Sequence, residues 1–135
     1  MKSHSFGLLS FVLVLAGLPA LAHHSFSAEY ASDKPITLKG TLTKVEWSNP
    51  HGWIYVDVKG DDGKVVNWAV EFGSPNALLR RGLRKSDFPP GIEVVVDGYR
   101  AKSGSAMING TSVKLPDGRD LYTGSSNPNA PGADK

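Results

Sequence analysis

The chain has 135 residues with 15 basic and 13 acidic side chains and no cysteine. That length suits one domain with one modest core. The missing cysteine excludes disulfides, thiolate zinc sites and covalent c-type haem attachment, and the balanced charge offers no basic stripe to neutralise phosphates, so nucleic acid is not an expected partner.

Residues 1–22 read as a cleavable signal peptide: Lys2 supplies a basic start, an apolar stretch runs over residues 6–18, and Ala20-Leu21-Ala22 forms an A-x-A cleavage signal. The apolar stretch is too short and too interrupted for a comfortable membrane span. The expected protein is therefore periplasmic or secreted, with no membrane attachment after processing. Cleavage after Ala22 makes His23 the first mature residue.

Residues 23–35 are polar and predict a flexible amino-terminal arm. The β-domain is expected over residues 36–122. Ile36, Leu38 and Leu42 alternate with polar residues, the period of a half-buried strand, but Val45 and Trp47 fall in the opposite phase. A bulge near Thr43 and Lys44 reconciles the two phases. Ser48-Asn49-Pro50-His51-Gly52 is a turn by composition. A second strand runs over residues 53–59, Asp61-Asp62-Gly63 closes a hairpin, and Val66, Trp68, Val70 and Phe72 share one face of the third strand. A short helix follows, with Ser74 as its cap, Pro75 in its first turn and Gly82 as its terminator. Strands are expected over residues 92–99 and 107–115, and Pro116-Asp117-Gly118-Arg119 turns the chain back so that Leu121 and Tyr122 can pair. The Gly-, Ser-, Asn- and Pro-rich residues 123–135 predict a disordered tail.

Three strands, a short helix and at least two more strands is the order of an oligonucleotide/oligosaccharide-binding (OB) barrel. The predicted class is all-β: a small OB-fold-like barrel of five to six strands with one short helix between strands three and four. The competing architecture is a small open sandwich.

The segments Ala22-His23-His24-Ser25-Phe26, Ser48-Asn49-Pro50-His51-Gly52-Trp53 and Phe72-Gly73-Ser74-Pro75-Asn76 occur in that order. Together they resemble a family of small exported bacterial proteins, a domain of unknown function (DUF6152-like), with AHHSF, NPH and GSPN motifs. The resemblance extends to about Tyr122 and implies a periplasmic β-rich module. It implies no activity and no catalytic residue.

The residues themselves point to metal. An amino-terminal histidine offers its amine and its ring Nδ1 to one cation, a planar arrangement suited to Cu(II). Past the leader, the histidines are His23, His24 and His51, all outside the expected strands, and they form the candidate copper site. Cleavage after Ala20 would instead place His23 third, itself a square-planar Cu(II) and Ni(II) motif. The competing reading makes His23 and His24 ordinary polar residues of the arm and His51 a turn residue.

Trp53 and Tyr55 share an outward face of the second strand and form a candidate surface for a ligand or partner, whereas Trp68 is assigned to the core. Arg80, Arg81, Arg84 and Lys85 read as a solvated, dipole-complementing helix end. No Ser-His-acid spacing, phosphate loop or HExxH is present, and Glu46, Asp57, Glu71 and Glu93 read as dispersed outward carboxylates. The expectation is a non-enzymatic periplasmic binding or accessory protein with copper as its leading ligand. The alternative is a metal-free module that binds a protein, peptide or carbohydrate partner in an envelope complex, and a copper-dependent oxidative enzyme is a weaker third.

Overall fold

The computed structural model describes residues 26–132. The expected signal peptide, His23 and His24 lie outside the described residues.

Six strands form one sheet: β1 (Tyr30–Glu46), β2 (Trp53–Lys59), β3 (Val65–Glu71), β4 (Glu93–Ala101), β5 (Met107–Lys114) and β6 (Asp120–Tyr122). One helix, α1 (Pro75–Arg80), and a 3-10 turn (Lys85–Asp87) separate β3 from β4. β1 pairs antiparallel with both β2 and β4, β2 with β3, and β4 with β5. A parallel pairing of Ala69–Glu71 with Met107–Asn109 closes the ring, and β6 adds to β5. That closed order, β1-β2-β3-β5-β4, with the helix between the third and fourth strands, is OB-like, as the sequence predicts.

The core fills the ring from every strand's inward positions. Leu38, Leu42, Ile54, Val56, Val70, Val96, Ile108 and Val113 are all buried, and Leu78, Leu83 and Phe88 from the helical segment pack onto the same cluster. The expected bulge exists: the β1–β2 register slips between Leu42 and Lys44, so Leu42 and Val45 can both face the core across the irregularity. The hairpin turns at Gly63, with φ of 79°.

The helix is short but capped at both ends. Ser74 accepts from the Ala77 N–H at 3.4 Å, and Pro75 occupies the first turn, where its missing N–H costs nothing. At the other end Gly82, with φ of 85°, donates to Leu79 O and Leu83 donates to Leu78 O, the paired bonds of a Schellman motif. Leu78 and Leu83, brought together by that motif, are fully buried.

The structure differs from the sequence reading at both ends of the barrel. Residues 30–35, assigned to a flexible arm, are the beginning of β1, and Tyr30 pairs with Ala101. A helical turn over residues 26–29 precedes them. Phe26, Tyr30 and Ala101 form a second apolar cluster with Tyr99 and Met107. The register irregularity between Tyr30 and Pro35 falls where Pro35 has no N–H to give to the ladder.

The tail expected to be disordered is docked through residue 132. Gly73 N–H donates to Thr123 O at 2.8 Å, Ser125 Oγ bonds Asn109 Oδ1 at 2.5 Å, and Asn127 N–H bonds Ser125 Oγ at 3.1 Å. Thr123, Ser125, Asn127 and Ala130 are buried. Polar composition misled here because Ser125 and Asn127 close hydrogen bonds with Asn109 of β5 and with neighbouring backbone N–H groups instead of with water, and Thr123 is held through its backbone.

Candidate functional site

His51 sits in the connection between β1 and β2, after a cis Asn49–Pro50 bond. The β2–β3 ladder continues past the ends of both strands and fixes its position. Phe72 N–H donates to Gly52 O at 2.8 Å, and Gly52 N–H to Gly73 O at 2.9 Å. These bonds hold His51 beside the end of β3, where Glu71 stands.

Glu71 is on the outward face of its strand, since its neighbours Val70 and Phe72 are core residues. It is nevertheless buried: its side chain is only 7% exposed, against 37% for that of His51. One carboxylate oxygen, Oε1, meets His51 Nδ1, and the other, Oε2, accepts from the Tyr30 hydroxyl. Burial first, and then the bond to Glu71, hold the Tyr30 hydroxyl far above the ordinary tyrosine range, so it is a protonated donor. A neutral imidazole that donates from Nδ1 to a carboxylate carries its lone pair on Nε2. Nε2 has no hydrogen-bond partner among the described residues.

Tyr30 ties this pair to the amino-terminal segment. Its ring stacks on Phe26 at 5.7 Å between centroids, Lys102 N–H donates to Glu29 O at 2.8 Å, and Lys102 Nζ donates to Ser27 O. His23 and His24 precede this segment in the chain and lie outside the described residues.

The predicted aromatic pair does share one outward face. Trp53 pairs directly across from Glu71 and is half-buried. Tyr55 carries Lys44 over its ring at 5.1 Å and bonds Glu46 Oε2 through its hydroxyl at 3.2 Å. Lys44 and Glu46 pair with each other, which raises the lysine's pKa and lowers the carboxylate's, at the exposed surface. The Tyr55 face is thus already occupied by a side chain of the barrel itself. Trp68, assigned to the core, is half-buried against it, with Arg100 over its ring at 5.3 Å.

Among the described residues no three of His, Cys, Asp and Glu gather into a metal-binding group. His51 is the only histidine among the described residues. Sequence reasoning missed Glu71 and Tyr30, treating the first as a solvated strand carboxylate and the second as part of a loose arm. The hairpin register carried a usable signal. A turn centred on Asp62 puts residue 71 opposite residue 53, two positions from His51.

A family model described as "Family of unknown function (DUF6152)" matches residues 12–111, most of the chain. No curated protein matches it.

Proposed function

We propose a copper-binding role for this chain, which belongs to the family of unknown function DUF6152. In this reading it is an exported accessory protein that holds Cu(II) through His51 Nε2 together with His23 and His24. The observation that carries the reading is the buried carboxylate of Glu71 on His51 Nδ1. Metal-binding histidines are regularly supported in this way, because a carboxylate on one ring nitrogen fixes the tautomer and makes the other nitrogen a better ligand. A turn histidine with no task would gain nothing from a carboxylate withdrawn from water to meet it, and burying that carboxylate is costly. Nitrogen ligands from imidazoles and a terminal amine favour Cu(II) over the other common divalent ions.

The test is Cu(II) titration followed by electron paramagnetic resonance. Protein beginning at His23 is compared with a Met-extended form and with His51→Ala and His24→Ala variants. The native-start protein should bind one Cu(II) with nitrogen-dominated tetragonal parameters. His51→Ala should weaken binding by about 10-fold or more, and the Met extension should cost more still, because it removes the amine from His23. Identical weak spectra from the native-start and Met-extended forms would remove the copper site. The metal-free interaction module would then take its place, supported by Trp53, half-buried on the outward face beside Glu71.

A further inference from the structure

We infer that Glu71 couples docking of the amino-terminal segment to the state of His51, so that seating Tyr30 and presenting Nε2 to a metal are one linked equilibrium. The inference rests on the copper reading for its metal; the link between Tyr30, Glu71 and His51 stands on the geometry. Glu71 has two carboxylate oxygens, and each is committed to a different part of the chain: Oε1 to the β1–β2 turn through His51, Oε2 to the start of β1 through Tyr30. With its side chain 7% exposed, water cannot freely replace either donor. Losing one donor therefore changes how firmly the carboxylate holds the other.

The amino-terminal side of this link is itself a docked unit. Phe26, Tyr30, Tyr99, Ala101 and Met107 pack together, and Lys102 holds two carbonyls of the turn over residues 26–29. When that unit is seated, the Tyr30 hydroxyl satisfies Oε2 and the carboxylate is fixed in the orientation that accepts from Nδ1. When it lifts, the carboxylate loses a donor and its fixed orientation, and His51 is no longer confined to one tautomer. A metal that requires the Nε2 lone pair must then favour the seated form, and the seated form must by the same factor favour the metal. Tyr30 and Glu71 are thus positioning residues, neither of them a metal ligand.

Glutamine at position 71 tests this sharply. An amide has one acceptor oxygen and one donor nitrogen, so it cannot accept from Tyr30 and His51 as the carboxylate does. Tyr30 is 2% exposed, and its hydroxyl keeps the amide oxygen as its acceptor. The amide nitrogen then faces His51 Nδ1 and imposes the opposite tautomer, with the proton on Nε2.

The experiment reads the side-chain nitrogen resonances of His51 in metal-free protein beginning at His23, in the wild type, Glu71→Gln and Tyr30→Phe. The wild type should show the Nδ1–H tautomer, Glu71→Gln the Nε2–H tautomer, and Tyr30→Phe a mixture, with amide exchange over residues 26–30 faster by about 10-fold. Cu(II) affinity should fall by about 10-fold in Tyr30→Phe, with electron paramagnetic resonance parameters unchanged because the ligands are unchanged. A residue with a merely structural role would lower the melting temperature and leave the His51 nitrogen spectrum alone. Wild-type His51 resonances in both variants would overturn the coupling. Should Tyr30→Phe fail to fold, Lys102→Met, which loosens the turn over residues 26–29 but leaves Tyr30, Glu71 and His51 in place, tests the coupling by the same readout: a mixed His51 tautomer supports it, and a wild-type spectrum with faster amide exchange over residues 26–30 overturns it. Failure of the wild type to bind Cu(II) would instead sink the copper reading, while the metal-free spectra would still settle the coupling.

Discussion

Asp87 shows at the scale of one residue how this cysteine-free domain stabilises an irregular stretch. Its carboxylate accepts from the Arg84 N–H at 2.7 Å and from Arg119 at 2.7 Å, joining the segment after α1 to the turn before β6. Arg119, more than the Arg84 N–H, holds its pKa below the usual carboxylate range. A depressed folded-state pKa means that the contribution to stability is complete above the unfolded value, about 4, and is lost as pH falls through the folded value. Asp87→Asn should therefore destabilise the protein at pH 7 by about 1 kcal/mol, the scale of a lost cap. The difference from the wild type should shrink below about pH 4; denaturant melts at pH 7 and pH 3 would check both limbs. Glu71 shows the converse in the sequence reading. Its type and spacing looked like any outward strand carboxylate, and only the pairing of distant segments makes it a buried acceptor. The histidine of the site was legible in the sequence; the residues that support it were not, because Tyr30 meets Glu71 across 41 positions of chain.

Among the elements, those specified locally were the most readable. The hairpin at Gly63, the bulge at Thr43 and the cap of α1 each depend on a few adjacent residues, and each was foreseen. The start of β1 was not, because Tyr30 and Ala31 owe their burial to β4 and the segment before them, with no alternation of their own to reveal it. The end of α1 gives a test of local specification. Gly82→Ala should cost about 1 kcal/mol, since alanine at a φ of 85° is strained, while Gly82→Asn should cost less because asparagine tolerates the left-handed region. Urea midpoints for the two variants would check the order. Equal losses would mean that the fully buried Leu78 and Leu83, rather than the backbone turn, dictate how this helix ends.

For the molecule as a whole, the ring closes over three residue pairs between β3 and β5, and both flanking segments of the chain dock beside that seam. Tyr30 reaches Glu71 at the end of β3, while Ser125 and Ser126 bond Asn109 on β5. Immediately beyond β3, Gly73 meets Gly124 so closely that a Cβ on Gly73 would lie 2.7 Å from the Gly124 carbonyl oxygen. Removing residues 125–135 should therefore lower the melting temperature by more than about 5 °C, the equivalent of roughly 1 kcal/mol for a domain of this size. An unchanged melting temperature, measured by calorimetry, would show the tail to be dispensable. The two flanking segments also meet each other: Phe26 and Tyr30 line a cleft of about 290 Å³ together with Asn127, Pro128 and Asn129. Because Phe26 and Asn129 line one cleft, the chain is a subject for circular permutation, with a linker that carries the tail back to His23 and new ends opened at the exposed hairpin tip near Asp62. Such a rearranged polypeptide keeps His51, Glu71 and Tyr30 in their places but gives His23 a peptide nitrogen instead of an amine. Comparing its copper affinity with that of the natural order would separate what the fold contributes from what a free chain start contributes.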